Sequence, residues 1–202
     1  MSDTRMTTES TPRNQQTLER APKVSTLSMT DREVLLDPDG VAVRGAVIDE
    51  GALLWALARD AGGIDLNSPY AYLMQCRNFH ETCVVAEVFG TPAGFITAHR
   101  VPTRPHVLFV WQVAVRPEFR GLGIGQRMLD ALVERPACTG VRKLEATVTP
   151  SNTASRKLFA AFAKGRGAEL DIAAGFARDD FPDDQPQESE RLFTIQPIHS
   201  VD

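Results

Sequence analysis

The sequence predicts an α/β (α+β) fold: one mixed, mostly antiparallel central sheet flanked by helices. Three observations predict it. Two β-rich runs are separated only by Gly-Thr-Pro-Ala at residues 90–93, so they form a hairpin and pair antiparallel. A later succession of strand, helix and strand makes a crossover, which leaves its two strands parallel. Strand and helix periodicities alternate along the chain, so the sheet is covered by helices on both faces.

Residues 1–30 are rich in Ser, Thr, Arg and Gln with few large apolar side chains, and are expected to form a disordered arm. A single domain is expected over residues 31–197, with a short tail at 198–202. Residues 41–47 (VAVRGAV) read as its first strand. Asp49–Gly62 reads as a helix, because Leu53, Leu54, Ala56 and Leu57 recur at helical spacing. Residues 67–79 read as a second helix, entered through a cap at Asn67 or Ser68 with Pro69 in the first turn. The hairpin follows, with strands at 82–89 and 94–101, and then a long third strand over His106–Val115. A glycine-rich turn leads into a helix at 125–136. Lys143–Val148 is the next strand and 151–167 the next helix. Arg178–Glu190 is acidic and holds two prolines, which marks a surface loop, and the chain's end supplies two more strands. No internal repeat is visible.

Composition excludes several function classes. At 43% hydrophobic the 202 residues can bury a real core. A net charge of −4 argues against a general binder of nucleic acid or anionic membrane, although Arg116, Arg120 and Arg127 flank the glycines. No apolar run approaches the roughly 20 residues of a membrane span, and the first residues lack a signal-peptide core. Cys76, Cys83 and Cys138 are odd in number and without CxxC spacing, so reduced thiols and a cytoplasmic location are expected. His80, His99, His106 and His199 are scattered as spectators, and no metal is expected.

The turn after the third strand runs Arg120, Gly121, Leu122, Gly123, Ile124, Gly125, Gln126. Glycine lets a backbone approach an anion closely, and a helix N-terminus supplies free N–H groups and the positive end of a dipole. The pattern predicts a cradle for a phosphate or diphosphate. A dinucleotide fingerprint would need a glycine at position 126, where Gln126 stands, and a nucleotide P-loop would need Lys-Ser or Lys-Thr.

Arg120-x-x-Gly123-x-Gly125, between a strand and a helix, resembles the [QR]xxGx[GA] motif of the GNAT acetyltransferase superfamily, and Leu144–Phe159 resembles a second block of it. Residues 65–87, 108–115 and 144–152 resemble the diaminobutyrate acetyltransferases of ectoine biosynthesis, and the likeness runs from Val41 to Phe193. The resemblance implies the GNAT acyl-CoA N-acyltransferase fold and a homodimer. It also implies acetyl-CoA as co-substrate, the small diamine L-2,4-diaminobutyrate as acceptor, and the N4-acetyl compound as product. Arg120 to Gln126 would then hold the CoA diphosphate. Val113 and Val115 would offer main-chain groups to the pantetheine arm. Asn152 and Ser155 would lie near the cofactor, and Lys157 would help bind its phosphates.

An amine attacks a thioester only when neutral, while a free alkylammonium has a pKa near ~10. The acceptor site must therefore take a proton and balance two ammonium groups, which calls for acids. Asp65 and Glu145 are the candidates for both catalysis and substrate binding, with Asn67, Tyr70, Trp111 and Gln112 as further acceptor contacts. The bland readings stay open here: Asp65 as a turn residue, Glu145 as the outer face of a strand, Tyr70 and Trp111 as packing, and Gln112 facing water. Many GNAT enzymes have a tyrosine where this chain has Phe159, so the acid that protonates the leaving thiolate is unassigned. No cysteine has the surroundings of a nucleophile, which favours direct attack in a ternary complex. The competing readings are a GNAT acting on another small amine or a protein N-terminus, and a CoA-binding module without turnover.

Overall fold

The computed structural model describes residues 40–183 and 187–198. The arm expected at 1–30 lies outside the described residues, as do 31–39 and 199–202. Seven strands form one sheet: β1 Val41–Gly45, β2 Val84–Val88, β3 Thr91–Val101, β4 Arg104–Val115, β5 Lys143–Val148, β6 Glu169–Ala174 and β7 Arg191–Gln196, in the order β1-β2-β3-β4-β5-β7-β6. Only β4 and β5 pair in parallel; every other neighbouring pair is antiparallel.

Strand alternation divides the core between the two faces. Leu54 and Leu57 of α1 (Gly51–Ala61) and Tyr72 and Cys76 of α2 (Pro69–Phe79) pack on Val85, Phe95 and Ala114. On the other face, Ile124, Met128 and Leu132 of α3 (Ile124–Val133) and Phe159 and Phe162 of α4 (Thr153–Gly165) pack on Val84, Ile96, Leu108 and Leu144. Adjacent residues such as Val84 and Val85, or Phe95 and Ile96, serve opposite cores because successive side chains leave opposite faces of a strand.

The helices differ in how they begin. Ser68 caps α2, its Oγ accepting the Ala71 N–H at 3.4 Å, with Pro69 in the first turn. Asn152 caps α4, its Oδ1 accepting the Ser155 N–H at 3.0 Å. No side chain caps α3: its N-cap is Gly123, held at φ 69°. Its first helical hydrogen bond runs from the Arg127 N–H to the Gly123 carbonyl, so the N–H groups before it have no helical acceptor. Helix α3 also stops at Val133, short of the expected residue 136, and a separate 3₁₀ turn takes Pro136–Cys138. The third strand starts two residues earlier than expected, at Arg104.

Two irregularities of β4 shape the functional region. Thr97 of β3 pairs with Gln112 while Ala98 pairs with Val110, so Trp111 is an extra, bulged residue. A bulge bends its strand and increases its twist. The β4–β5 ladder holds only at Val107–Lys143, Leu108–Leu144 and Phe109–Glu145. Beyond these rungs β5 follows β7 and β4 follows β3, so the two parallel strands part and the sheet opens between them.

Candidate active site

A cleft of about 610 Å³ fills the gap between β4 and β5. On the α3/α4 side its wall is built by Val110, Val113, Ala146 and Val148 with Asn152, Ser155 and Phe159 of the α4 region. On the α1/α2 side it is built by Asp65 and Asn67 of the loop before α2, by Trp111, Gln112 and Thr147, and by Glu188 and Glu190 of the segment before β7. Phe193 and Ile195 point into the α3/α4 core, so alternation along β7 carries Glu190 to the opposite face.

The glycine turn meets this cleft through α4. A Cβ on Gly125 would lie 3.1 Å from Leu158, so the bare residue lets α3 close on the helix that also carries Ser155 and Phe159. Gly121 (φ 85°) and Gly123 (φ 69°) hold left-handed backbone conformations, and a Cβ at either would meet nothing within 4 Å. The turn therefore presents backbone N–H groups to open space. Ile124 is buried and Leu122 half-exposed, so neither brings a polar side chain to this cradle. Arg120 spends its guanidinium locally: Nε donates to the Val115 carbonyl at 3.3 Å, and Nη2 donates to the Ala61 carbonyl at the end of α1. Gln126 donates to Asp130 at 3.1 Å. Main-chain N–H groups are thus the principal donors this turn offers to an anion.

The expected acceptor residues separate into two groups. Asp65, Asn67, Trp111 and Gln112 do converge on the cleft. Gln112 Nε2 donates to the Asp65 carbonyl at 2.8 Å, which ties the loop to β4, and Trp111 leans on the buried ring of Tyr72 with centroids 6.3 Å apart. Gln187 Nε2 donates to Asp65 Oδ2 at 3.4 Å, and Glu188 Oε2 accepts the Ser151 N–H at 3.2 Å.

Four of the expected site residues do not line the cleft. Tyr70 is 69% exposed and does not line the cleft, because α2 turns Tyr72 inward in its place. Glu145 is 4% exposed and held from the side, with Arg104 Nη1 donating to Oε1 at 2.8 Å and Nη2 to Oε2 at 3.0 Å. A carboxylate gripped at both oxygens is neutralised, and Glu145 is not among the residues lining the cleft. Lys157 lies with Arg156 and Ala160 on the side of α4 that faces Leu170 and Ile172 of β6, away from the cleft. Val115 packs toward the α3/α4 core outside the cleft lining, where Val110 and Val113 are the β4 valines.

Glu188 and Glu190 are the residues that sequence reasoning missed. Their loop carries the signals of a solvated surface, yet Glu190 immediately precedes β7, where alternation predicts which face a side chain takes. Among the described residues no side chain or backbone group pairs with the Glu190 carboxylate. Phe159 sits in the cleft wall against Phe193, with ring centroids 6.2 Å apart. None of the three thiols lines the cleft. Burial pushes Cys76 up to about 12 and Cys83 and Cys138 up to about 11, and all three are buried and free. Burial also lowers the pKa of His99, which lies between the rings of Phe79 and Phe109.

Comparison with known proteins agrees with this geometry. A model of the acetyltransferase (GNAT) family matches residues 52–163. The L-2,4-diaminobutyric acid acetyltransferase of Streptomyces avermitilis is 44% identical over 168 residues, which cover 82% of this chain and 93% of that protein. The enzyme of the same name from Marinococcus halophilus is 43% identical over 79% of this chain and 92% of its own length. The solved structure of diaminobutyrate acetyltransferase EctA from Paenibacillus lautus, in complex with its substrate L-2,4-diaminobutyric acid and coenzyme A, superposes with a TM-score of 0.75. It is 43% identical and is matched over 80% of this chain and 97% of that one.

Proposed function

Since this chain belongs to the acetyltransferase (GNAT) family, and within it to the L-2,4-diaminobutyric acid acetyltransferases, we propose that it moves the acetyl group of acetyl-CoA to the 4-amino group of L-2,4-diaminobutyrate. The product is N4-acetyl-L-2,4-diaminobutyrate, the step expected in ectoine biosynthesis. The observation that carries this reading is an open strand edge bordering an acid-lined cleft, with a helix that has no side-chain cap packed on α4, which forms part of the cleft wall.

The residues present fit acetyl-CoA. The free N–H groups at the start of α3 suit its diphosphate, with no Cβ on Gly121 or Gly123 to keep it away. The β5-facing edge of β4 from Val110 to Val113 lacks a strand partner, and an extended pantetheine arm with its amides matches such an edge. Acetyl-CoA supplies an acyl carbon activated by a thiolate leaving group. Asn152 and Ser155 line the same wall.

The α1/α2 side of the cleft does the acceptor chemistry. Asp65, Glu188 and Glu190 hold the two ammonium groups of the diamine. Glu190, the carboxylate without a described partner, takes the proton that the 4-ammonium must lose. Trp111 and Thr147 wall the pocket and exclude water. Phe159 has no proton to give, so the departing thiolate is protonated from solvent or by the product ammonium. Inert thiols favour direct attack within a ternary complex over an acetyl-cysteine. A homodimer in the cytoplasm completes the proposal.

The test is a steady-state assay of thiol release from acetyl-CoA with diaminobutyrate, ornithine, lysine and a short peptide. Diaminobutyrate should lead clearly in kcat/KM, because a polar site penalises a misplaced amine. Equal turnover of the peptide would refute the assignment.

A further inference from the structure

We propose that the cleft recognises its acceptor as a diamine and not as an amino acid, so that it also acetylates short diamines with no carboxylate, 1,3-diaminopropane first among them. The inference rests on the function proposed above and concerns what that site reads.

Charge is distributed one-sidedly. Three carboxylates, on Asp65, Glu188 and Glu190, line the cleft. Among the described residues that line it there is no lysine, arginine or histidine. The arginines nearest by connection are spent elsewhere. Arg104 closes on both oxygens of Glu145, and Arg120 donates to the Val115 and Ala61 carbonyls. The side chains left to meet a carboxylate of the acceptor are neutral: Asn67, Thr147, Thr149 and Ser151, with the Gln112 amide N–H already donating to Asp65. A substrate ammonium against a carboxylate makes a charge-assisted hydrogen bond. A substrate carboxylate against a hydroxyl or amide has one charged member only, in a cleft whose acids repel it.

The magnitudes follow. Losing a hydrogen bond to a charged group costs on the order of 10- to 100-fold in kcat/KM at either end of the acceptor, but at the carboxylate end repulsion from the acids of the cleft offsets it. Removing the acceptor's carboxylate also removes its repulsion from Glu188 and Glu190. Removing the second ammonium does the reverse and leaves an acid of the cleft without a partner. The bond changes are those of the proposed reaction. One amine nitrogen forms a C–N bond to the acyl carbon and the C–S bond breaks. Sulfur leaves with the electron pair and takes one proton, and the second proton lost by the ammonium leaves by way of a carboxylate to solvent. Acetyl-CoA and the diamine monocation or dication are the only reactants.

The experiment compares L-2,4-diaminobutyrate, 1,3-diaminopropane and 4-aminobutyrate at fixed ionic strength, by thiol release and by mass spectrometry of the acetylated amine. 1,3-Diaminopropane should keep kcat/KM within about 10-fold of diaminobutyrate, and 4-aminobutyrate should fall by about 100-fold or more. Asp65→Asn should weaken both diamines by the same factor. If diaminobutyrate is acetylated and 1,3-diaminopropane is more than about 10-fold poorer, the carboxylate is read and the inference is overturned. If diaminobutyrate itself is not acetylated, the proposed function fails and takes this inference with it.

Discussion

Replacing Gly123 by alanine separates the backbone cost of the glycine turn from its use. Gly123 has φ 69°, and a Cβ there would meet nothing within 4 Å, so the folded protein suffers strain and no clash. Left-handed backbone costs an L-residue roughly 1–2 kcal/mol. For a domain of this size each kcal/mol lowers Tm by about 2–4 °C, so a fall of about 2–8 °C is expected. Gly90 is a matched control: φ 77°, nothing within 4 Å, in the β2–β3 hairpin. Gly90→Ala should lose similar stability and bind CoA normally. Gly123→Ala places its methyl where a diphosphate must touch the N–H groups of α3. Forfeiting one charge-assisted contact raises the Kd for CoA by at least about 10-fold. Thermal melts and calorimetric titration with CoA on the two variants decide the matter. Wild-type CoA affinity in Gly123→Ala, or an equal loss in Gly90→Ala, would refute the cradle.

Asp65→Asn and Glu190→Gln should each lower kcat/KM for the diamine by about 10-fold or more while leaving the KM for acetyl-CoA in place, as read by initial rates with each substrate varied in turn. Iodoacetamide at pH 8 should leave the native enzyme active and unlabelled, and label three cysteines after unfolding, because burial holds the thiols at about 11 to 12. The sign for stability follows: those folded values lie above the 9.0 of a free thiol, so the contribution is complete below about pH 9 and is lost as pH climbs through the folded values, a trend urea melts across that range will show. Phe162→Ala empties a fully buried site between α4 and the sheet and should cost about 3–5 kcal/mol in urea unfolding. Arg104→Ala strands the buried Glu145 carboxylate and should destabilise more than the double change Arg104→Ala with Glu145→Gln, whose melts then measure the pair.

The strands and helices were readable because each carries its own period, and Ser68, one of the two cap positions the sequence offers, does cap α2. The uncapped start of α3 was readable because Gly121, Gly123 and Gly125 lie within a few residues of a helix start. What the local sequence leaves open is phase. Tyr70 and Tyr72 are both aromatic on a helix of weak apolar bias, and only contact with Phe95 and Trp111 decides that Tyr72 turns inward. Lys157 and Ser155 share one helix, and the sheet's opening determines which of them meets the cleft. Glu145 sits where strand alternation puts it, but its partner Arg104 comes from 41 residues earlier. The bulge at Trp111 leaves no mark in the alternation of β4, and although alternation gives the face that Glu190 takes, nothing local in an acidic, proline-bearing loop announces that Glu188 and Glu190 line the cleft.

The parting of β4 from β5 has a bearing on solubility. Unsatisfied strand edges at a protein's rim invite other chains to zip on, and proteins blunt them with charges, prolines or bulges. Here the vacant rungs lie in the interior of a seven-stranded sheet, flanked by β5 on one side and roofed by α4 and the Glu188–Glu190 segment. A slender ligand can thread between the two strands, whereas β5 already stands where a neighbouring polypeptide's strand would have to pair. The molecule thereby keeps a hydrogen-bonding template permanently on offer without exposing itself to self-association through it.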